Sequence, residues 1–152
     1  MKIGIIVAMD KEFAQLRALL DKEQTETRNG KTFVRGTTGG NQLIMQQCGI
    51  GKVNSAVGAV EMITHYAPDV IISTGVAGGA DAEMNPLEVV VGTEYAYHDL
   101  YCGTDVAYGQ LPGLPARFSS APAFVQKALL LDTTIPIHNG LIISGDWFVD
   151  SK

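Results

Sequence analysis

Several runs of this chain are apolar at almost every position, and that pattern decides most of what it can fold into. They are "KIGIIVA" at 2–8, the opening of "DVIISTGVAGGA" at 69–80, and "LIIS" at 141–144. A strand with one wet face alternates apolar and polar residues. An unbroken run belongs to a strand covered on both faces, which in practice means helices on either side of a sheet. The stretches between supply those helices. "DKEFAQLRALLD" repeats Phe13, Leu16 and Leu19/Leu20 at helical spacing, with Asp10 placed to cap its start. "GIGKVNSAVGAVEMITHYAPD" leads from a glycine turn into a second helix. Its expected buried face is Val53, Ala56/Val57, Val60 and Ile63, and Pro68 ends it. Ser120-Ala121-Pro122 opens a third, running to about Leu131.

The remaining segments complete an α/β pattern. "TETRNGKTFVRGTTGGNQLIMQQCG" carries turn signals at Asn29-Gly30 and Gly39-Gly40-Asn41, so it reads as three antiparallel strands, a meander. "LEVVVGTEYAYHD" and "NGLIISGDWF" read as further strands, the latter running inside the sheet, and residues 99–119 read as irregular. The fold expected is α/β: a mixed central sheet with flanking helices and an antiparallel meander.

Size and charge exclude several functions. The 152 residues, 46% of them hydrophobic, suffice for one domain with a sizeable core. The net charge is −5 with no basic run, which argues against nucleic acid as a partner. No segment has the ~18 apolar residues of a membrane helix, so no membrane partner is expected. The N-terminal run gives way at once to "DKE", unlike a signal peptide. Cys48 and Cys102 lie far apart, as reduced thiols of a cytoplasmic protein would. His65, His98 and His138 show no metal-ligand spacing, so no metal is expected.

Ligands of such sheets gather at the carboxyl ends of strands. Four strand ends qualify: 8–12, 48–51, 73–79 and 144–149. Glu12 sits one turn beyond the first strand. A carboxylate there serves either the helix dipole or as a general base on water. "CGIGKVNSA" lacks the third glycine of a dinucleotide fingerprint and the Ser or Thr of a P-loop. It is either a simple tight turn or a mild anion or hydroxyl site. "STGVAGGA" is either close packing or room for a flat ligand against backbone. His98-Asp99 reads as a structural hydrogen bond, and Cys48 as a small buried hydrophobe. Of the two terminal aromatics, Trp147 is expected in the core, and Phe148 is free to stack on a base.

Taken together, "KIGIIVAMDKE", "CGIGKVNSA", "PDVIISTGVAGG", "YHD", "YGQLPG" and "GLIISGDWF" resemble the 5′-methylthioadenosine/S-adenosylhomocysteine nucleosidases of the purine nucleoside phosphorylase-like superfamily. The matches span the chain in order. The resemblance implies hydrolysis of the N-glycosidic bond of a small-molecule nucleoside, releasing adenine and a thioribose product, with no cofactor, as a cytoplasmic homodimer of methionine salvage. By position it implies that Glu12 activates water. Met9, Ile50, Val76, Ala77 and Gly78 surround ribose and base. Phe148 stacks on adenine, and Val149 reads its edge through backbone groups. Val106 and Pro112 belong to the pocket completed by a neighbouring subunit. Val76 stands where many members carry Ser, so a hydroxyl contact is lost or supplied elsewhere, and Thr104 and Val106 stand where aromatics often line the pocket for the 5′ substituent.

The family continues beyond the position of Lys152 with the ribose-binding glutamate and the purine-protonating aspartate. The expectation is therefore that residues 1–152 are the N-terminal two-thirds of a single nucleosidase domain. Such a stretch would be incomplete at its C-terminal end, a poor catalyst alone, and open to a complementing C-terminal fragment. The alternatives are a nucleoside phosphorylase of the same fold and a non-catalytic adenosine-binding fragment. The phosphorylase would need cations for phosphate, and Arg17, Arg28, Arg35 and Arg117 all lie outside the four strand-end loops.

Overall fold

Of the three apolar runs, the one at 2–8 is covered on both faces as expected, whereas Ile72, Leu141 and Ile143 of the other two are 39%, 42% and 47% exposed. The computed structural model describes residues 1–149. The chain divides into two compact units, Met1–Ala77 and Gly78–Lys152.

The first unit runs β1 (Lys2–Val7), α1 (Asp10–Arg17), β2 (Asp21–Arg28), β3 (Lys31–Thr38), β4 (Asn41–Gln47), α2 (Lys52–Tyr66) and β5 (Val70–Ser73). Its five-stranded sheet has the order β2-β3-β4-β1-β5. β1 is parallel to both β4 and β5, while β2, β3 and β4 form the expected antiparallel meander. Both hairpin turns are left-handed at two successive residues: Asn29 and Gly30 at φ 48° and 73°, Gly39 and Gly40 at 51° and 78°. That is the backbone a type I′ turn demands.

Helices cover both faces of the central strands. On one side Ile5, Val7, Leu43 and Met45 pack beneath Phe13, Leu16 and Leu20. On the other, Ile6, Phe33, Ile44 and Cys48 pack beneath Met62 and Tyr66 of α2. Alternate residues of β1 and β4 thus enter opposite cores, and Gln46 of β4 is buried among them on the α2 side. Each large apolar side chain buried this way contributes roughly 1.5–3 kcal/mol.

Three local expectations change. α1 ends at Arg17 rather than near Asp21. The chain tightens through Leu19 N–H to Leu16 O and Leu20 N–H to Arg17 O. Leu20 then lies over Gly36 of β3, where an added Cβ would stand 2.9 Å from the Leu20 Cβ. The N-cap is the extended Met9, not Asp10. The largest change is α2. Val53, Val57, Val60 and Ile63, expected to be buried, are exposed, and its buried stripe is Gly58, Met62 and Tyr66. Both stripes have helical spacing. Gly58 decides between them, because only a residue without a side chain lets the helix settle onto Gln46 and Cys48. A Cβ there would stand 2.7 Å from the Cys48 Cβ and 2.9 Å from the Gln46 Oε1. Ala67 ends the helix in the left-handed region at φ 43°, just before Pro68.

The second unit comprises β6 (Val89–Tyr97), β7 (Phe118–Ser119), α3 (Pro122–Leu129) and β8 (Ile137–Ser144). Its three-stranded sheet has the order β7-β6-β8, with β8 parallel to β6 and α3 packed against both. β8 starts at Ile137, and among the described residues it is an edge strand rather than an interior one. The loop after β6 is ordered by Gln110. Its Oε1 accepts the Ala107 amide at 3.1 Å and its Nε2 donates to Leu114 O at 2.7 Å.

Candidate active site

β1 and β5 run parallel and end side by side, and the first turn of α1 returns Glu12 to that edge. Glu12 Oε2 accepts the backbone amides of Ala8 at 3.2 Å and Met9 at 3.0 Å, and Oε1 accepts that of Val76 at 2.8 Å. The carboxylate therefore serves as the reciprocal half of the helix cap. It also ties α1 to the segment after β5. A carboxylate has about four acceptor positions. Among the described residues three are taken by amides, which leaves one for a water or a hydroxyl. Gly75 makes the approach possible, since a Cβ there would stand 2.6 Å from Oε1. The small residues of "STGVAGGA" thus admit the protein's own carboxylate. Composition could signal a close approach but not which group makes it.

Ile50 lies at the neighbouring strand end. The Cys48 amide donates to Val7 O at 2.9 Å, which carries the β1–β4 pairing one residue further. Gly49 and Gly51 follow at φ 94° and 99°, so the turn is glycine for conformational reasons, with the Ile50 side chain exposed between them. Asn54, in the place of a fingerprint glycine, donates from Nδ2 to Ile50 O at 2.8 Å and holds the turn. Cys48 is buried, its thiol donates to Val7 O and Gly49 O, and burial pushes that thiol up from its ordinary range. This is the inert packing role expected of it. The first unit therefore brings Met9, Glu12, Ile50, Val76 and Ala77 to one edge of its sheet; Gly78 opens the second unit.

In the second unit Phe148 and Val149 follow the carboxyl end of β8, with the Phe148 ring 92% exposed. Trp147 is not in the core: it is 65% exposed. Its indole N–H donates to His98 Nδ1 at 2.9 Å, with the two ring planes within 19° of each other. The cause is Gly145, whose missing side chain lets residues 145–147 fold down onto His98 and Asp99. Val106 and the exposed Pro112 lie in the loop between β6 and β7.

All four arginines are paired with carboxylates: Arg17 with Glu23, Arg28 and Arg35 with Glu26, and Arg117 with Glu94.

Residues 2–152 match the family model described as the phosphorylase superfamily. A 5′-methylthioadenosine/S-adenosylhomocysteine nucleosidase of Bacillus thuringiensis (strain Al Hakam) is 36% identical over 153 residues, covering 98% of this chain and 66% of the relative. The chain thus spans just under two thirds of the length of that curated relative. The nucleosidase of Neisseria meningitidis, solved with methylthio-immucillin-A, superposes with a TM-score of 0.91 at 33% identity, covering 99% of this chain and 67% of that one. That of Colwellia psychrerythraea 34H, solved with adenine, gives 0.92 at 36% identity, covering 97% and 63%. The likeness runs through the motifs that build both units, and it places the chain in the phosphorylase superfamily, as a member of its 5′-methylthioadenosine/S-adenosylhomocysteine nucleosidase family.

Proposed function

We propose that the protein hydrolyses the N-glycosidic bond of 5′-methylthioadenosine and S-adenosylhomocysteine, and that Glu12 is its general base. The observation that carries this is the Glu12 carboxylate, fixed by three backbone amides at the ends of two parallel strands with one acceptor position open. A water on that position gives its proton to the carboxylate as its oxygen bonds to the anomeric carbon. The bond to the purine nitrogen breaks, its electron pair leaves with adenine, and the departing base takes up a proton from solvent, to which Glu12 later returns its own. Met9, Ile50, Val76, Ala77 and Gly78 would line the ribose and base. Phe148 would stack on adenine, and Val149 would meet its edge through backbone groups. The arginine pairing favours water over phosphate as nucleophile, because each of the four guanidinium groups already serves a carboxylate.

The wider assignment belongs to the same reading: residues 1–152 as the N-terminal two-thirds of one nucleosidase domain, working as a cytoplasmic homodimer in methionine salvage. The exposed apolar stripe of α2 supports self-association, and Val106 and Pro112, on the second unit's loop, are assigned to a pocket shared between subunits. Adenine release from methylthioadenosine, measured with and without phosphate, tests the reaction. For the intact nucleosidase domain of this proposal we expect phosphate-independent turnover, lowered ~10²–10⁴-fold in Glu12→Gln with a much smaller change in KM. Turnover that requires phosphate, or a Gln variant as fast as the parent, would refute the assignment.

A further inference from the structure

Phe148 is 92% exposed, yet the four residues before it are held one after another by two side-by-side residues at the end of β6. The His98 amide donates to Ser144 O at 3.0 Å, extending the β6–β8 pairing past its last register pair, Tyr97 with Ser144. Gly145 lies against the His98 ring and the Asp99 carboxylate: a Cβ there would stand 2.6 Å from His98 Cε1 and 2.8 Å from Asp99 Cγ. Asp99 Oδ2 accepts the Asp146 amide at 2.7 Å. Trp147 donates from Nε1 to His98 Nδ1 at 2.9 Å, and the two rings lie edge to edge within 19° of coplanar, with centroids 6.4 Å apart. An indole N–H can only donate. The Nδ1 of His98 must therefore offer a lone pair, and in the neutral ring the proton sits on Nε2.

We propose that His98 and Asp99 are positioning residues that clamp the turn after β8 and so aim the Phe148 ring at its ligand. The proposal rests on the reading of Phe148 as the adenine-stacking residue. Freezing a loop before the ligand arrives removes an ordering cost that binding would otherwise bear. Trp147 then has a role distinct from Phe148. One ring packs back onto the clamp so that the next can point away from it.

Trp147 is the single tryptophan of the chain, so its emission reports the clamp directly. The experiment compares the parent protein, His98→Ala, His98→Asn, Phe148→Ala and the double variant His98→Ala/Phe148→Ala. Each is titrated with adenine by calorimetry, with the emission spectrum recorded and folding checked by circular dichroism. Asn places an oxygen near the position of Nδ1 and can still accept the indole N–H, whereas Ala cannot. We expect His98→Ala to red-shift the emission and weaken adenine binding about three- to tenfold, the range for freeing one ordered side chain. His98→Asn should recover most of both. In the double variant the loss should not exceed that of Phe148→Ala, because the clamp acts only through Phe148. The proposal is overturned if His98→Ala keeps parental emission and affinity, or if its loss adds in full to that of Phe148→Ala. Should Phe148→Ala bind adenine as the parent does, the stacking reading fails instead. The clamp itself then stands or falls on whether Ala, but not Asn, shifts the emission.

Discussion

Glu12 shows how a single residue joins folding to chemistry. The amides it satisfies are those of a helix start and of the segment after β5, so the base is positioned by groups the backbone needs paired in any case. Gly75 is the less visible half of that arrangement. Its backbone does not need glycine for its φ, but its space does: the carboxylate oxygen occupies the place of a Cβ. Gly75→Ala should therefore push Glu12 off its amides. A displacement on the order of 1 Å costs about 10²-fold in rate, so kcat should fall by that order while KM changes little. An unaltered kcat would show that the carboxylate has room to move without loss. A second residue-scale prediction concerns Tyr66. Burial first, and then its hydrogen bond to Glu26, push this phenol up to about 12. An unfolded chain loses that proton near 10. The stability Tyr66 contributes is thus fully present below about pH 10 and lost as pH rises through about 12. Absorbance titration of the five tyrosines should show one ionising late, and Tyr66→Phe should abolish that late step. Full ionisation of all five by pH 11 would contradict the buried, donor-bonded phenol.

At the scale of elements, α2 separates what was readable from what was not. β1 announced itself because it is apolar where a helix lies on each face, and the meander because Asn29-Gly30 and Gly39-Gly40 suit left-handed turns. The orientation of α2 was hidden because the helix is apolar nearly all round. Two stripes satisfy the same spacing, and the choice between them depends on Gly58 fitting against Gln46 and Cys48, residues next to it in space and not in sequence. Trp147 was misplaced for the same kind of reason. Size and hydrophobicity favour a core, whereas the gap left by Gly145 and the acceptor on His98 appear only once β6 and β8 are paired. The strand-end position of Glu12 was legible, but its tie to the segment after β5 was not, since Val76 lies 64 residues away. The Gly58 account is testable. Gly58→Val drives a branched side chain into Cys48 and Gln46, and overpacking of this kind costs ~1–3 kcal/mol. Denaturant unfolding should show that loss, while Val57→Thr on the exposed face should stay within about 0.5 kcal/mol of the parent. A reversed order would mean that Val57, not Gly58, faces the sheet.

For the whole molecule the exposed stripe of α2 raises the question of what it meets. Val53, Val57, Val60 and Ile63 are 43–74% exposed along one side of a fifteen-residue helix. At ~1.5 Å per residue such a helix is about 22 Å long, which suits it to form the spine of an interface burying ~800 Å² per partner. Single exposed apolar residues need no explanation, whereas a contiguous row is a mark of association. If the proposed homodimer forms through this face, a charge at its centre should break it with little effect on the fold. Val57→Asp/Val60→Asp places two carboxylates there, where a self-complementary contact would oppose them to their own copies. Sedimentation velocity should find the parent dimeric at micromolar concentration and the double variant monomeric, with matching circular dichroism and a Tm lowered only by the loss of association. A dimeric double variant would move the interface to another face. A parent that sediments as a monomer across the same range would remove the homodimer from the proposal, together with the shared pocket assigned to Val106 and Pro112.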